Sequence, residues 1–172
     1  MLDIIVCDRS GIEKLTALEY IHKIKEMGIN VRAPEEESDA QIYPDKIFAP
    51  EFLAGIKYLE AVAVKAGVEQ DRTDEVIMRA ATECGFTRRQ LKAPIRVYNI
   101  YEKKRLQLAQ ALIEKKQTCI FDYVFDAFDE NNVGVALTVL AKMAQNTSVI
   151  ITAKDSAYAF ELNGHVWKID GE

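Results

Sequence analysis

The sequence predicts an α/β chain built on a mainly parallel sheet with helices on both faces. Three observations predict it. Short β-branched apolar runs sit at residues 3–7, 118–122 and 148–152. Stretches with apolar residues at helical spacing separate them, and strands that alternate with helices make parallel sheets. The chain has 172 residues, 49% of them hydrophobic, so one core is expected over 1–172.

Residues 3–7 (Asp-Ile-Ile-Val-Cys) read as a buried strand. The polar stretch Asp8-Arg9-Ser10-Gly11 follows. Leu15, Leu18, Ile21 and Ile24 then mark an amphipathic helix over 12–27, with Gly28 beyond its end. Ile29–Val31 is expected as a second strand. Residues 33–50 hold three prolines and the acidic run Glu35-Glu36-Glu37, and are expected to form a loop. Residues 51–93 are expected to be helical, in pieces ending at Gly67, near Gly85 and before Pro94. A helix follows over 101–116, with Leu106, Ala109, Leu112 and Ile113 on one face and a Lys-rich end that suits the helix dipole; the run 103–105 with Lys115 and Lys116 is expected as a solvated face. The strand 118–122, a helix over 131–145 and the strand 148–152 come next. Residues 158–162 and 165–169 flank Asn163-Gly164, and that pair predicts a hairpin.

Composition excludes several functions. A net charge of −5 argues against nucleic-acid binding. No apolar run approaches the roughly 20 residues that cross a bilayer, and an acid stands where a signal peptide carries its positive charge, so a cytoplasmic protein is expected. The cysteines (Cys7, Cys84, Cys119) lie far apart in apolar settings and are expected as buried thiols. Two histidines, His22 and His165, give no metal-ligand spacing.

Residues 96–172 resemble the second half of an ABC-type ATPase domain. Arg105-Leu-Gln-Leu-Ala-Gln-Ala-Leu-Ile113 is similar to the helix after that family's signature loop. Cys119-Ile-Phe-Asp122 resembles its Walker B strand, Asp126-Ala-Phe-Asp129 its D-loop, and Ser148-Val-Ile-Ile-Thr152 the strand before its switch histidine. Asp8-Arg-Ser-Gly-Ile-Glu-Lys-Leu-Thr16 stands where the family has its P-loop. The resemblance implies a P-loop NTPase-like fold with a helical insertion at about 51–93. It also implies that Gly11, Lys14, Thr16 and Asp122 are the residues that would contact ATP and magnesium.

The departures from that pattern carry chemistry. Asp8 and Glu13 replace P-loop glycines, crowding the loop and repelling phosphate. Tyr123 replaces the glutamate that polarises the attacking water, and a phenol is a poor proton acceptor at neutral pH. Lys154 stands for the switch histidine and Tyr98-Asn-Ile-Tyr-Glu102 for the signature L-S-G-G-Q. No catalytic residue is therefore assigned. The resemblance implies a noncatalytic homologue acting through a protein partner, a second copy or a membrane permease subunit. The alternatives are an ATP-binding subunit that binds or slowly hydrolyses ATP, and a small α/β enzyme for another ligand. The aromatic groups Tyr98–Tyr101 and Tyr123–Phe128 are expected to be exposed together as a contact face, the rival being that these rings fold inward as core.

Overall fold

The computed structural model describes residues 1–7, 15–29, 31, 34, 36–47 and 49–168. The chain divides into two compact units. One comprises Met1–Asp45, Lys116–Asp126 and Leu140–Glu172; the other comprises Lys46–Lys115 and Ala127–Val139.

The first unit carries a five-stranded sheet: β1 (Leu2–Val6), β2 (Ala40–Tyr43), β3 (Thr118–Asp122), β4 (Ser148–Ala153) and β5 (His165–Lys168). Their order is β2-β3-β4-β1-β5, and every pairing is parallel. The central strands are buried along their length, as continuous apolar runs in a covered parallel sheet must be. Asp122 is in register with Thr152, and Ile5 is flanked by Thr152 and Trp167. Helix α1 (Ala17–Glu26) buries Ala17, Tyr20, Ile21 and Ile24 against Ile5, Ile120 and Ile150.

Four expectations for this unit are corrected. Ile29 and Val31, expected in a second strand, lie in none; they bury their side chains in the core around α1. The expected loop 33–50 contains β2, a four-residue edge strand hidden between an acidic run and Pro44. The expected hairpin is absent: residues 159–162 form the short helix α7 (Ala159–Leu162), and β5 pairs parallel with β1. Asn163 takes a left-handed conformation (φ 49°) as the end of α7. A positive φ serves a helix end as well as a hairpin turn, so the same dipeptide marks both. The helix expected over 12–27 is shorter, because Thr16 caps it one residue before Ala17.

The second unit is helical: α2 (Gly55–Lys65), α3 (Thr73–Glu83), α4 (Arg88–Leu91), α5 (Ile100–Glu114) and the first half of α6 (Val133–Ala144). Gly67 and Gly85 adopt positive φ after α2 and α3, where a Cβ would be strained. Helix α5 is buried on nearly every side, including Lys104 and Gln107. This corrects the expected solvated face in part: Lys104 is buried, Lys103, Arg105 and Lys116 are half-buried, and Lys115 is exposed. Arg105 does not face free solvent either: its guanidinium stacks over Phe86 (4.8 Å) and Tyr101 (5.2 Å), which are cation–π distances.

Candidate functional site

In the first unit the C-terminal ends of β1, β3 and β4 bring Cys7, Asp122, Tyr123 and Thr152 together. Asp122 is buried, and its Oδ1 accepts a hydrogen bond from the Thr152 hydroxyl at 2.6 Å. The Tyr123 N–H donates to both the carbonyl and the hydroxyl oxygen of Thr152, each at 3.1 Å. Thr152 thus links the acid that ends β3 to the end of β4.

Tyr123 takes a left-handed conformation, φ 47°, which is costly for a residue with a Cβ. That turn directs its ring back toward β1, where its hydroxyl donates to the Cys7 carbonyl at 2.7 Å. Burial, then the neighbouring Cys7, Asp122 and Asp126, push the phenol well above its ordinary range. It is therefore a hydrogen-bond donor and no base at neutral pH. Lys154 is engaged as well: its ammonium pairs with Asp126 at 2.5 Å. Tyr20, one turn into α1, is buried close enough to this cluster that Cys7, Asp122 and Tyr123 add to the upward push of burial on its own phenol.

The sequence-assigned residues fare differently. Gly11 and Lys14 lie outside the described residues, as do Asp8 and Glu13. Asp122 stands at the end of β3 as expected. Thr16 is the N-cap of α1: its Oγ1 accepts from the Glu19 N–H, and Glu19 Oε2 accepts from the Thr16 N–H at 2.7 Å. The next two N–H groups, of Ala17 and Leu18, donate to the two carboxylate oxygens of Glu37 at 3.0 and 3.3 Å. The reciprocal Thr16–Glu19 cap was legible as T-x-x-E. Glu37 and Thr152 were not, since no local pattern ties them to these partners. Among the described residues there is no group of three or more His, Cys, Asp or Glu that could hold a metal.

The expected aromatic contact face is corrected. Tyr98, Tyr123, Phe125 and Phe128 are all buried. In the first unit Phe125 packs on Tyr158, with centroids 4.9 Å apart; in the second, Tyr98 packs on Phe86 at 5.6 Å and donates to the Gln90 carbonyl. Their apolar area outweighs any cost of burying two hydroxyls that find partners. Ile100 alone of those apolar positions is well exposed, at 65%. Asp129 Oδ1 accepts from the Asn131 and Asn132 N–H groups at 3.0 Å before α6.

No family model matches the sequence, and no curated protein matches it closely. Solved structures do resemble the fold. An ABC transporter ATP-binding protein from Pyrococcus furiosus superposes with a TM-score of 0.71 at 20% identity, over 97% of this chain and 83% of that one. A dimeric ATP-binding cassette in a post-hydrolysis state, bound to ADP and Pi, gives 0.71 at 10% identity over 98% and 80%. The cbiO1 protein of Clostridium perfringens, part of the ABC transporter complex cbiONQ, gives 0.63 at 14% over 90% and 67%. The chain therefore has the ABC-type, P-loop NTPase α/β fold.

Proposed function

We propose that this chain is a noncatalytic homologue of ABC ATP-binding domains, acting as a regulatory or structural subunit of a larger assembly. The observation that carries the reading is Tyr123. It follows Asp122 where a water-polarising carboxylate is needed, and its hydroxyl donates to the Cys7 carbonyl. A donor already engaged in that way cannot orient a nucleophilic water as a base. The Lys154–Asp126 pair supports the same reading, because the cation that replaces the switch histidine is turned to a carboxylate. The partner is a protein: a second cassette, in view of the dimeric neighbour, or a membrane permease subunit, in view of the cbiONQ component. No helix among the described residues is long and apolar enough to cross a membrane, so contact with a permease would be peripheral.

One observation favours a second reading, an ATP-binding subunit. Asp122 keeps its place at the end of β3 and is oriented by Thr152, as a magnesium-holding acid would be. ATP and magnesium would then bind through Lys14, Thr16 and Asp122. Calorimetric titration with ATP–Mg²⁺ separates the two. The first reading expects no binding below the millimolar range; low-micromolar binding lost in Lys14→Ala would establish the second.

A further inference from the structure

In the helical unit, α2 and α3 are joined by a connector bonded to itself. The Gly67 N–H donates to the Val64 carbonyl and the Val68 N–H to the Ala63 carbonyl, each at 3.0 Å. The turn Gln70–Arg72 follows. It is closed by the Arg72 N–H and the Thr73 hydroxyl, which both donate to the Glu69 carbonyl at 3.0 Å. Beside this connector the two helices leave a cleft of about 580 Å³. Small-molecule sites span roughly 300–1,000 Å³ and are largely formed before the ligand arrives, as a connector fixed by its own hydrogen bonds allows. The floor of the cleft is apolar: Ile77 is buried, Val68 is half-buried and Val64 is 71% exposed. An exposed valine alone needs no explanation. Here Glu60 and Val64 stand one turn apart on α2, as Asp74 and Ile77 do on α3, so each wall pairs an acidic with an apolar side chain. Among the described residues the lining includes no basic side chain. Both carboxylates already receive a cation from outside it: Lys57 Nζ reaches Glu60 at 2.7 Å and Arg88 Nη2 reaches Asp74 at 2.6 Å. All four of these side chains are more than a third exposed, so both pairs are weak and exchangeable.

We propose that the cleft between α2 and α3 binds a small organic cation, its ammonium or guanidinium group held by Glu60 and Asp74 and its apolar arm laid on Val64, Val68 and Ile77. Charge complementarity selects the class. An anion would face two carboxylates, and a bare inorganic cation would gain nothing from the apolar floor. An organic cation uses both features, and the Lys57 and Arg88 groups it displaces are exposed enough to return to water. The Gln70 amide, also in the lining, adds a polar contact. No lining residue is among those expected to contact ATP, so the site does not depend on whether the chain binds a nucleotide.

The test uses three probes of one shape on the full chain: phenylbutylammonium, phenylbutanol and phenylbutyrate, at matched ionic strength. Methyl NMR spectra report where each binds and whether every variant is folded. The ammonium is expected to bind saturably, to shift the Val64, Val68 and Ile77 methyls, and to bind about tenfold more tightly than the alcohol, with the carboxylate weaker still. Glu60→Gln with Asp74→Asn is expected to bring the ammonium down to the affinity of the alcohol and to leave the alcohol unchanged. Glu60→Gln alone carries the charge test if the double variant does not fold, and is expected to fall between it and wild type. Val64→Lys, at an exposed position, sets a cation at the cleft and is expected to abolish binding of the ammonium. No saturable binding up to about 10 mM, equal affinity for ammonium and carboxylate, shifts confined to other methyls, or a double variant that binds like wild type would each overturn the proposal. So would a short lysine- and leucine-containing peptide that binds more tightly than the ammonium, since it would assign the cleft to a partner chain. No nucleotide is added, so the outcome is independent of whether the chain binds or hydrolyses ATP.

Discussion

At the scale of the residue, Tyr123 and Cys84 make the account checkable. Tyr123→Phe removes a hydroxyl and leaves the Cys7 carbonyl without that donor. A lost hydrogen bond of this kind costs about 0.5–1.5 kcal/mol, and denaturant unfolding is expected to show a loss in that range. Tyr123→Glu supplies the carboxylate type but places a charge in a buried position. It is expected to lower stability by more than the phenylalanine change and to bring no ATP turnover. Cys84 is fully buried, and burial, with Glu83 adding to it and Arg105 opposing, pushes its thiol from an ordinary 9.0 to about 12. The unfolded chain releases that proton near pH 9 and the folded one holds it. Stability is therefore unaffected by this group below pH 9, and falls between pH 9 and 12 by up to about 1.4 kcal/mol per pH unit. Native protein at pH 8 is expected to show Cys7, which is half-buried, reacting with a thiol reagent well before Cys84 and Cys119. Equal rates for all three would refute the burial assigned here.

At the scale of the element, the long periodic segments were legible and the short ones were not. The strands at 118–122 and 148–152 and the helices after 55, 73, 100 and 133 lie close to where apolar period and glycine ends place them. Strand β2 was hidden because four residues give no period, and its parallel pairing with β3 is set by tertiary contact alone. Strand β5 was mistaken for half of a hairpin, since its partner β1 lies at the other end of the sequence. This edge strand buries little, and its Trp167 anchors it by donating from Nε1 to the fully buried Asp3 at 3.1 Å. Trp167→Phe removes that donor, leaves the carboxylate the longer His165 Nδ1 contact at 3.7 Å, and is expected to cost about 1–3 kcal/mol, measured by urea unfolding. In the helical unit, a Cβ added at Gly55 would clash with the Tyr98 hydroxyl, which is held by the Gln90 carbonyl. Gly55→Ala is therefore expected to destabilise by about 1–3 kcal/mol, as overpacking does. An unchanged melting point in both variants would mean that these contacts do not organise their elements.

At the scale of the whole molecule, the sequence carried the fold further than the chemistry. The order of the Asp122 strand, the Asp126–Asp129 loop and the 148–152 strand pointed to the ABC-type fold, and the solved structures share it. The contact face did not survive, because Tyr98, Tyr123, Phe125 and Phe128 are buried. Spacing tells that aromatic residues cluster in the chain; it does not tell which way they turn. The chemistry lies in hydrogen bonds between distant residues, Tyr123 to Cys7 and Asp122 to Thr152, which no local pattern reports. The central claim is that a fold of ATP-binding cassettes here serves without hydrolysis. It is tested most directly by steady-state phosphate release from ATP–Mg²⁺, comparing wild type with Asp122→Asn. The account predicts that the two are alike and indistinguishable from the background without protein. Turnover near 1 per second in wild type, at the lower edge of the roughly 1–100 per second typical of kinases, and abolished by Asp122→Asn, would contradict it.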